Sequence, residues 1–412
     1  MKKICLTICI ILVVATLCTV FVGCGNTTSD PNSITVWWPS GKAMQKIIED
    51  AVKDFTALHP EAKINVVNKP VDAFDAYKYA LNDNKTRPDV AIVDHVYVAA
   101  LANDKQIANL SELGCDDVKS MYPQKVFDAI CYGGSAYGLP FSANTVVLMY
   151  NKDILSACNV SVPTTLDELL QACKIVSQNG YTAFAQPQNS FAVMEFMSYV
   201  SRCGGSVISD DYKTITFENA GALKALDKWV ALSKYASQSS FEEDKFYNGK
   251  VAFVEMGSWA LKSVTGSSKR FDCGFAEMVT IDSDCANNSG LGLYSLCVAE
   301  KSGSKQLALE FAKYLSTNKT VQLAYNKEQN LFPVTNEALS DDYYTQNDAL
   351  KVYASQLQKV AARPATPVWP DMERALQSML FEIVRMDSSD YTSVVKSYQT
   401  QVQKATDRVF GK

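Results

Sequence analysis

The stretch from Ala136 to Leu155, AYGLPFSANTVVLMYNKDIL, constrains this chain more than any other. Tyr137-Gly138-Leu139-Pro140 reads as a turn: Gly138 tolerates unusual dihedrals, and Pro140 fixes its own φ and restrains Leu139. Thr145 to Tyr150 is then an apolar, β-rich run long enough for a buried strand. Asn151-Lys152-Asp153 ends it and suits the cap of a helix starting near Ile154. Two readings follow. One is an ordinary loop and core strand. The other is a strand that crosses between two lobes and leaves Asn144 facing a cleft. A chain of 412 residues has room for two or three cores.

The order of elements speaks for an α/β fold and leaves both readings open. Ser33 to Trp38 reads as a strand, Lys42 to Leu58 as an amphipathic helix stopped by His59-Pro60, and Ala62 to Val67 as a second strand. Phe74 to Asn82 reads as a helix, Pro88 to Val93 as a third strand, and Val96 to Ala102 as a helix. Strands alternating with helices predict a parallel α/β sheet, whose ligands bind beyond the carboxyl ends of the strands. Trp38, Pro39 and Ser40 stand at one such end, Asp94 and His95 at another. Further on, Thr165 with Glu168 forms a capping box for a helix. Tyr181 to Phe184 and Ile215 to Phe217 read as strands, Phe191 to Val200 and Ala220 to Tyr235 as helices. Val251 to Met256 is a strand, after which Gly257-Ser258 turns the chain and presents Trp259. Ser304 to Leu315 and Met372 to Met386 read as helices.

The amino terminus sets the address. Met1-Lys2-Lys3 is a short positive region, and Ile4 to Val22 is almost wholly apolar, the pattern of a signal peptide over residues 1–23. Gly23-Cys24 after that apolar core resembles a bacterial lipobox, with Phe21 where Leu is usual. Cleavage before Cys24 and diacylation of its thiol would give a stable anchor, since two acyl chains hold where one does not. Residues 24–32 then form a polar tether. Without Lys2 and Lys3 the chain carries 37 basic and 44 acidic residues, a net charge of −7. That balance disfavours nucleic acid as a partner. Eight cysteines remain outside the leader and the lipidation site, with no C-x-x-C pair to suggest zinc.

Several motifs now converge. Leu139, Pro140, Tyr150, Asn151, Lys152 and Asp153 fit the form L-P-x8-Y-N-K-D, and Pro163-Thr-Thr-Leu-Asp-Glu-Leu fits P-x-T-x-D-E-L. Phe246 to Trp259 resembles F-x-x-G-x-x-A-M-x-x-x-G-x-W, with Phe253 in place of Met. Ser289-Gly290 departs from a double Gly in the segment that follows, and Arg363 to Trp369 matches a-R-P-x-x-p-x-Y/W. In order and number these resemble the extracellular solute-binding proteins of the maltose/multiple-sugar ABC-transporter type, over nearly all of the chain beyond the leader.

The resemblance implies a periplasmic-binding-protein-like fold of class II, two α/β lobes joined by crossing hinge segments. The expected lobes are 33–143 with 291–345, and 144–290 with 346–412. It implies ligand contacts from Asp94, Trp259, Arg363 and Trp369, joined by Trp38, Ser40 and Asn144 from their places at strand ends. Flat aromatics for sugar C–H faces and planar polar groups for hydroxyls suit a carbohydrate. Enzymatic devices are missing from the sequence: there are two histidines, no G-x-S-x-G elbow, no H-E-x-x-H and no P-loop. The expectation is a monomeric, lipid-anchored receptor that needs neither cofactor nor metal and partners an ABC permease. A binding protein for a non-sugar solute, a lipid-anchored glycoside hydrolase and a cell-wall adhesion module are the alternatives.

Overall fold

The computed structural model describes residues 30–71, 74–237, 242–281, 286–386 and 390–411. The expected leader, Cys24, most of the tether and Cys285 lie outside the described residues.

The first strand, β1 (Ser33–Trp38), runs into helix α1 (Lys42–Leu58), which buries Met44, Ile48, Ala51 and Phe55 along one face. Then come β2 (Lys63–Asn68), α2 (Phe74–Ala80), β3 (Val90–Asp94) and α3 (Val98–Asn103). The crossing stretch contains two strands, β4 (Leu139–Asn144) and β5 (Val146–Asn151), broken only at Thr145. The expected turn at Tyr137–Pro140 is therefore shorter: Leu139 and Pro140 already belong to β4. Proline is tolerated there because β4 is the last strand of its sheet. Asn151 caps the following short helix, accepting from the amides of Asp153 and Ile154 at 3.0 and 3.1 Å.

The chain continues through α4 (Leu166–Gln178), β6 (Thr182–Ala185), α5 (Phe191–Arg202), α6 (Ala220–Ser233), β7 (Ala236–Ser237), β8 (Val251–Gly257) and β9 (Cys273–Ala276). Thr165 and Glu168 close the expected capping box on α4. The strand expected at Ile215–Phe217 is reduced to a single bridge between Ile208 and Ile215, too short to build a ladder. The rest comprises β10 (Ser289–Gly290), β11 (Gly292–Val298), α7 (Lys305–Thr317), α8 (Lys319–Gln329), α9 (Asp348–Leu357), β12 (Val360–Ala361), α10 (Trp369–Ile383) and α11 (Thr392–Phe410).

These strands form two five-stranded sheets, in the orders β2-β1-β3-β11-β4 and β9-β5-β8-β6-β7. In the first, β1 is parallel to β2 and β3, while β11 runs antiparallel between β3 and β4. In the second, β8 is parallel to β6 and antiparallel to β5. Helices cover both faces of each sheet. In the first lobe, Met44, Ile48, Phe55, Phe311 and Leu315 pack on one face and Tyr77, Leu81 and Leu101 on the other. In the second, Leu169, Phe196, Trp229, Met372 and Leu376 pack on one face, and α9 lies on the other through Tyr353, whose hydroxyl donates to the Met256 carbonyl at 3.0 Å.

Three segments pass between the sheets: Thr145 between β4 and β5, Gly290–Gly292 between β10 and β11, and β12 leading to Arg363. They are tied together. β10 pairs with β12 in parallel. The Thr145 hydroxyl meets the Ser289 hydroxyl and lies 3.1 Å from the Gly290 carbonyl. Such a short waist lets two rigid bodies pivot with few backbone changes.

Candidate functional site

A cleft of about 430 Å³ opens between the lobes beside the crossing strands. That lies within the ordinary range of small-molecule sites, roughly 300–1,000 Å³.

Asp94 ends β3 and organises one side. Its carboxylate accepts the Val96 amide at 3.2 Å and lies 2.9 Å from His95 Nδ1. Arg363, arriving from the other lobe, places Nη2 3.2 and 3.1 Å from its two oxygens. Burial opposes ionisation of Asp94, but the Arg363 charge and the hydrogen bonds from His95 and the Val96 amide outweigh it. The carboxyl is held well below the usual range. His95 Nδ1 is also 3.2 Å from the Leu293 carbonyl, so a proton there serves both acceptors. Beside this cluster the Tyr97 hydroxyl donates to Glu373 Oε2 at 2.6 Å. Burial raises the Glu373 carboxyl above its ordinary value, against the Tyr97 hydrogen bond that lowers it.

Asn144 projects from the end of β4 and is 6% exposed. Its amide packs on Gly292 of the neighbouring β11, where any Cβ would collide with it. Trp259 follows β8 on a tight turn. Its six-membered ring lies over Gly257, again where a Cβ could not fit, and Phe191 meets it edge-on at 5.5 Å. The indole is 36% exposed, unusual for a tryptophan.

Asp94, Asn144, Trp259 and Arg363 thus come together in one cleft. Trp38, Ser40 and Trp369 do not line it. Trp38 is fully buried: its Nε1–H donates to the Met44 carbonyl at 2.9 Å, and its ring packs against Phe141 and Tyr325. Alternation explains this. Ile34, Val36 and Trp38 share the face of β1 that enters the core, so Trp37 points the other way and lines the cleft. Trp369 is fully buried among the second lobe's helices, 5.7 Å behind the Arg363 guanidinium, which it backs rather than replaces. Ser40 is exposed at the start of α1.

The cleft also contains residues that sequence reasoning missed. Trp37 was detectable from the Ile34/Val36/Trp38 alternation. Lys69, whose Nζ sits 5.2 Å over the Trp37 ring, and the stacked pair Phe74–Tyr97, 4.0 Å apart, left no local signal. Glu373 lies on a helix whose pattern announces only its buried face. Among the described residues no His/Cys/Asp/Glu group is arranged to hold a metal ion. Seven cysteines there are free thiols.

Two α/β lobes, a waist of three crossing strands and a cleft at that waist define a periplasmic-binding-protein fold of the maltose-binding type. Among solved structures it superimposes on a cyclo/maltodextrin-binding protein complexed with maltotetraose, with a TM-score of 0.77 at 19% identity, covering 92% of this chain and 97% of that one. It also superimposes on the cyclic α-maltosyl-1,6-maltose binding protein of Arthrobacter globiformis, with a TM-score of 0.77 at 21% identity, covering 92% and 98%. The chain belongs to the bacterial extracellular solute-binding protein family, whose sequence model matches residues 50–352. Relatives include a maltotriose-binding protein of Pyrococcus abyssi, 24% identical over 394 residues, spanning 90% of this chain and 82% of that protein. A galactooligosaccharide-binding protein of Bacillus subtilis is 23% identical over 380 residues, spanning 85% of each.

Proposed function

We infer that this protein is the extracytoplasmic receptor of an ABC importer. It captures a sugar or oligosaccharide between its lobes, closes on it by hinge motion and delivers it to a membrane permease. The observation that carries this reading is the make-up of the cleft. A partly exposed indole (Trp259) and further aromatic rings flank an unpaired amide (Asn144) and an ion pair (Asp94–Arg363). Aromatic faces suit sugar C–H surfaces, and the amide, carboxylate and guanidinium suit hydroxyls. The names of the relatives point to the same ligand class.

The ligand contacts assigned by this reading are Asp94, Asn144, Trp259, Arg363 and Trp37. Trp38 and Trp369 support Tyr325 and Arg363 from behind. The protein acts as a monomer held at the cell membrane through diacylated Cys24, and it binds its ligand without turnover. The test is a thermal-shift screen of the purified protein against mono- and oligosaccharides, with amino acids and peptides as controls. The reading requires a shift with a sugar that is lost in Trp259→Ala and occurs without consumption of that sugar. A shift with amino acids or peptides alone, or hydrolysis of the sugar, overturns it.

A further inference from the structure

Phe74, Tyr97 and Glu373 face two hollows at once. On one side they line the cleft; on the other they line an outer groove of about 320 Å³ shared with Asp75, Pro370 and Arg374. Tyr97 follows β3 in the first lobe, and Glu373 stands on α10, which packs into the core of the second. Their 2.6 Å hydrogen bond therefore joins the lobes, and Phe74 stacks on the Tyr97 ring at 4.0 Å, only 15° from parallel. The three side chains form a partition one ring thick. Away from this partition, Lys262, three residues beyond Trp259, also bridges to Glu328 of the first lobe, Nζ to Oε1 2.9 Å.

We propose that the Phe74/Tyr97–Glu373 partition sets the upper length of the saccharide this cleft accepts. The closed protein holds a short oligosaccharide within the box and excludes longer chains from the outer groove. This inference rests on the saccharide reading above. A groove open at its ends would let a long glycan run through, and each added sugar that finds a surface would strengthen binding. A walled cleft stops that gain. The bond between Tyr97 and Glu373 forms only when the lobes approach, so a ligand that overruns the partition opposes closure itself.

The test is calorimetry of the purified protein with two homologous series, α-1,4-linked glucose and β-1,4-linked galactose oligomers, from the disaccharide to the heptasaccharide. The wild type should bind tightest at two or three units and lose about tenfold or more by the longest, equal to about 1.4 kcal/mol. In Y97A/E373A the optimum should move to longer oligomers, while the disaccharide changes only a few-fold. F74A removes the wall without touching the hydrogen bond, and should move it likewise if the double variant folds poorly. Y97F keeps the ring and should leave the length profile unchanged. Equal affinity for short and long oligomers in the wild type, or an unaltered profile in both F74A and Y97A/E373A, overturns the partition. Binding of no saccharide at any length is a different outcome: it overturns the saccharide reading, and the length limit falls with it.

Discussion

Arg363 and Asp94 meet across the cleft, one nitrogen of the guanidinium lying 3.1 and 3.2 Å from the two carboxylate oxygens, with the Trp369 ring 5.7 Å behind. The pair joins the carboxyl end of β3 to the last crossing segment. Removing one partner strands the other in a partly buried setting. Arg363→Ala should therefore cost about 2–3 kcal/mol, whereas the paired change Asp94→Asn with Arg363→Met should cost less than the single one. Urea unfolding of the three proteins measures it. A single variant no less stable than the double would show that the pair is not coupled.

Two carboxylates in the cleft should respond to acid in opposite directions. Asp94 is depressed, so its stabilisation is fully present above the unfolded value of about 3.9 and is lost as pH falls through the folded one. Glu373 is raised, so the folded state holds its proton more tightly and stability falls as pH rises past the ordinary glutamate value of about 4.3. Glu373→Gln should thus be more stable than the wild type at neutral pH and lose that advantage below about pH 4. Asp94→Asn should flatten the loss of stability at the acid end. Thermal melts from pH 3 to pH 8 compare the two slopes.

The tryptophans should divide by position. Trp259→Ala removes a partly exposed ring and should abolish ligand-induced thermal shifts with little change in the melting temperature of the free protein. Trp38→Ala and Trp369→Ala empty core positions and should cost about 3–5 kcal/mol each. Differential scanning calorimetry with and without ligand distinguishes the cases. If Trp38→Ala melted like the wild type, the buried placement of that indole would be refuted.

Gly292→Ala puts a methyl group where the Asn144 amide lies. The amide must turn away, and the ligand loses a hydrogen-bonding partner. The expected effect is about a tenfold weaker Kd, the value of roughly one hydrogen bond, with stability nearly unchanged. Asn144→Ala should weaken binding by a similar factor, and the double variant should add little more. Additive losses in the double variant would separate the two residues.

Much of the architecture was legible because its causes are local. The Thr165–Glu168 box and the Asn151 cap are satisfied within four residues; the Ile34/Val36/Trp38 alternation is equally local, yet it puts Trp38 in the core, where its place at a strand end had suggested the cleft. β5 was readable as an apolar run ended by Asn151-Lys152-Asp153, while its crossing between lobes came from the family resemblance. What was not legible depends on approach across the fold. Tyr97 finds Glu373 276 positions away, and nothing near either residue marks the other. Trp369 has the sequence setting of a ligand platform, yet packing on α10 turns it into the core. Gly257 reads in sequence as a turn residue, yet it also makes room for the Trp259 ring, and Gly292 makes room for the Asn144 amide of a strand 148 residues earlier.

The insertion of β11 between β3 and β4 has a consequence for biogenesis. Residues 90–94 and 139–144 cannot become joined neighbours until residues 292–298 arrive between them. A chain emerging amino-terminus first therefore has no finished first sheet until nearly three quarters of it has been made. Contacts so distant in sequence close slowly. Every strand of the second sheet is thus made before the first sheet can be completed, although the first lobe begins the chain.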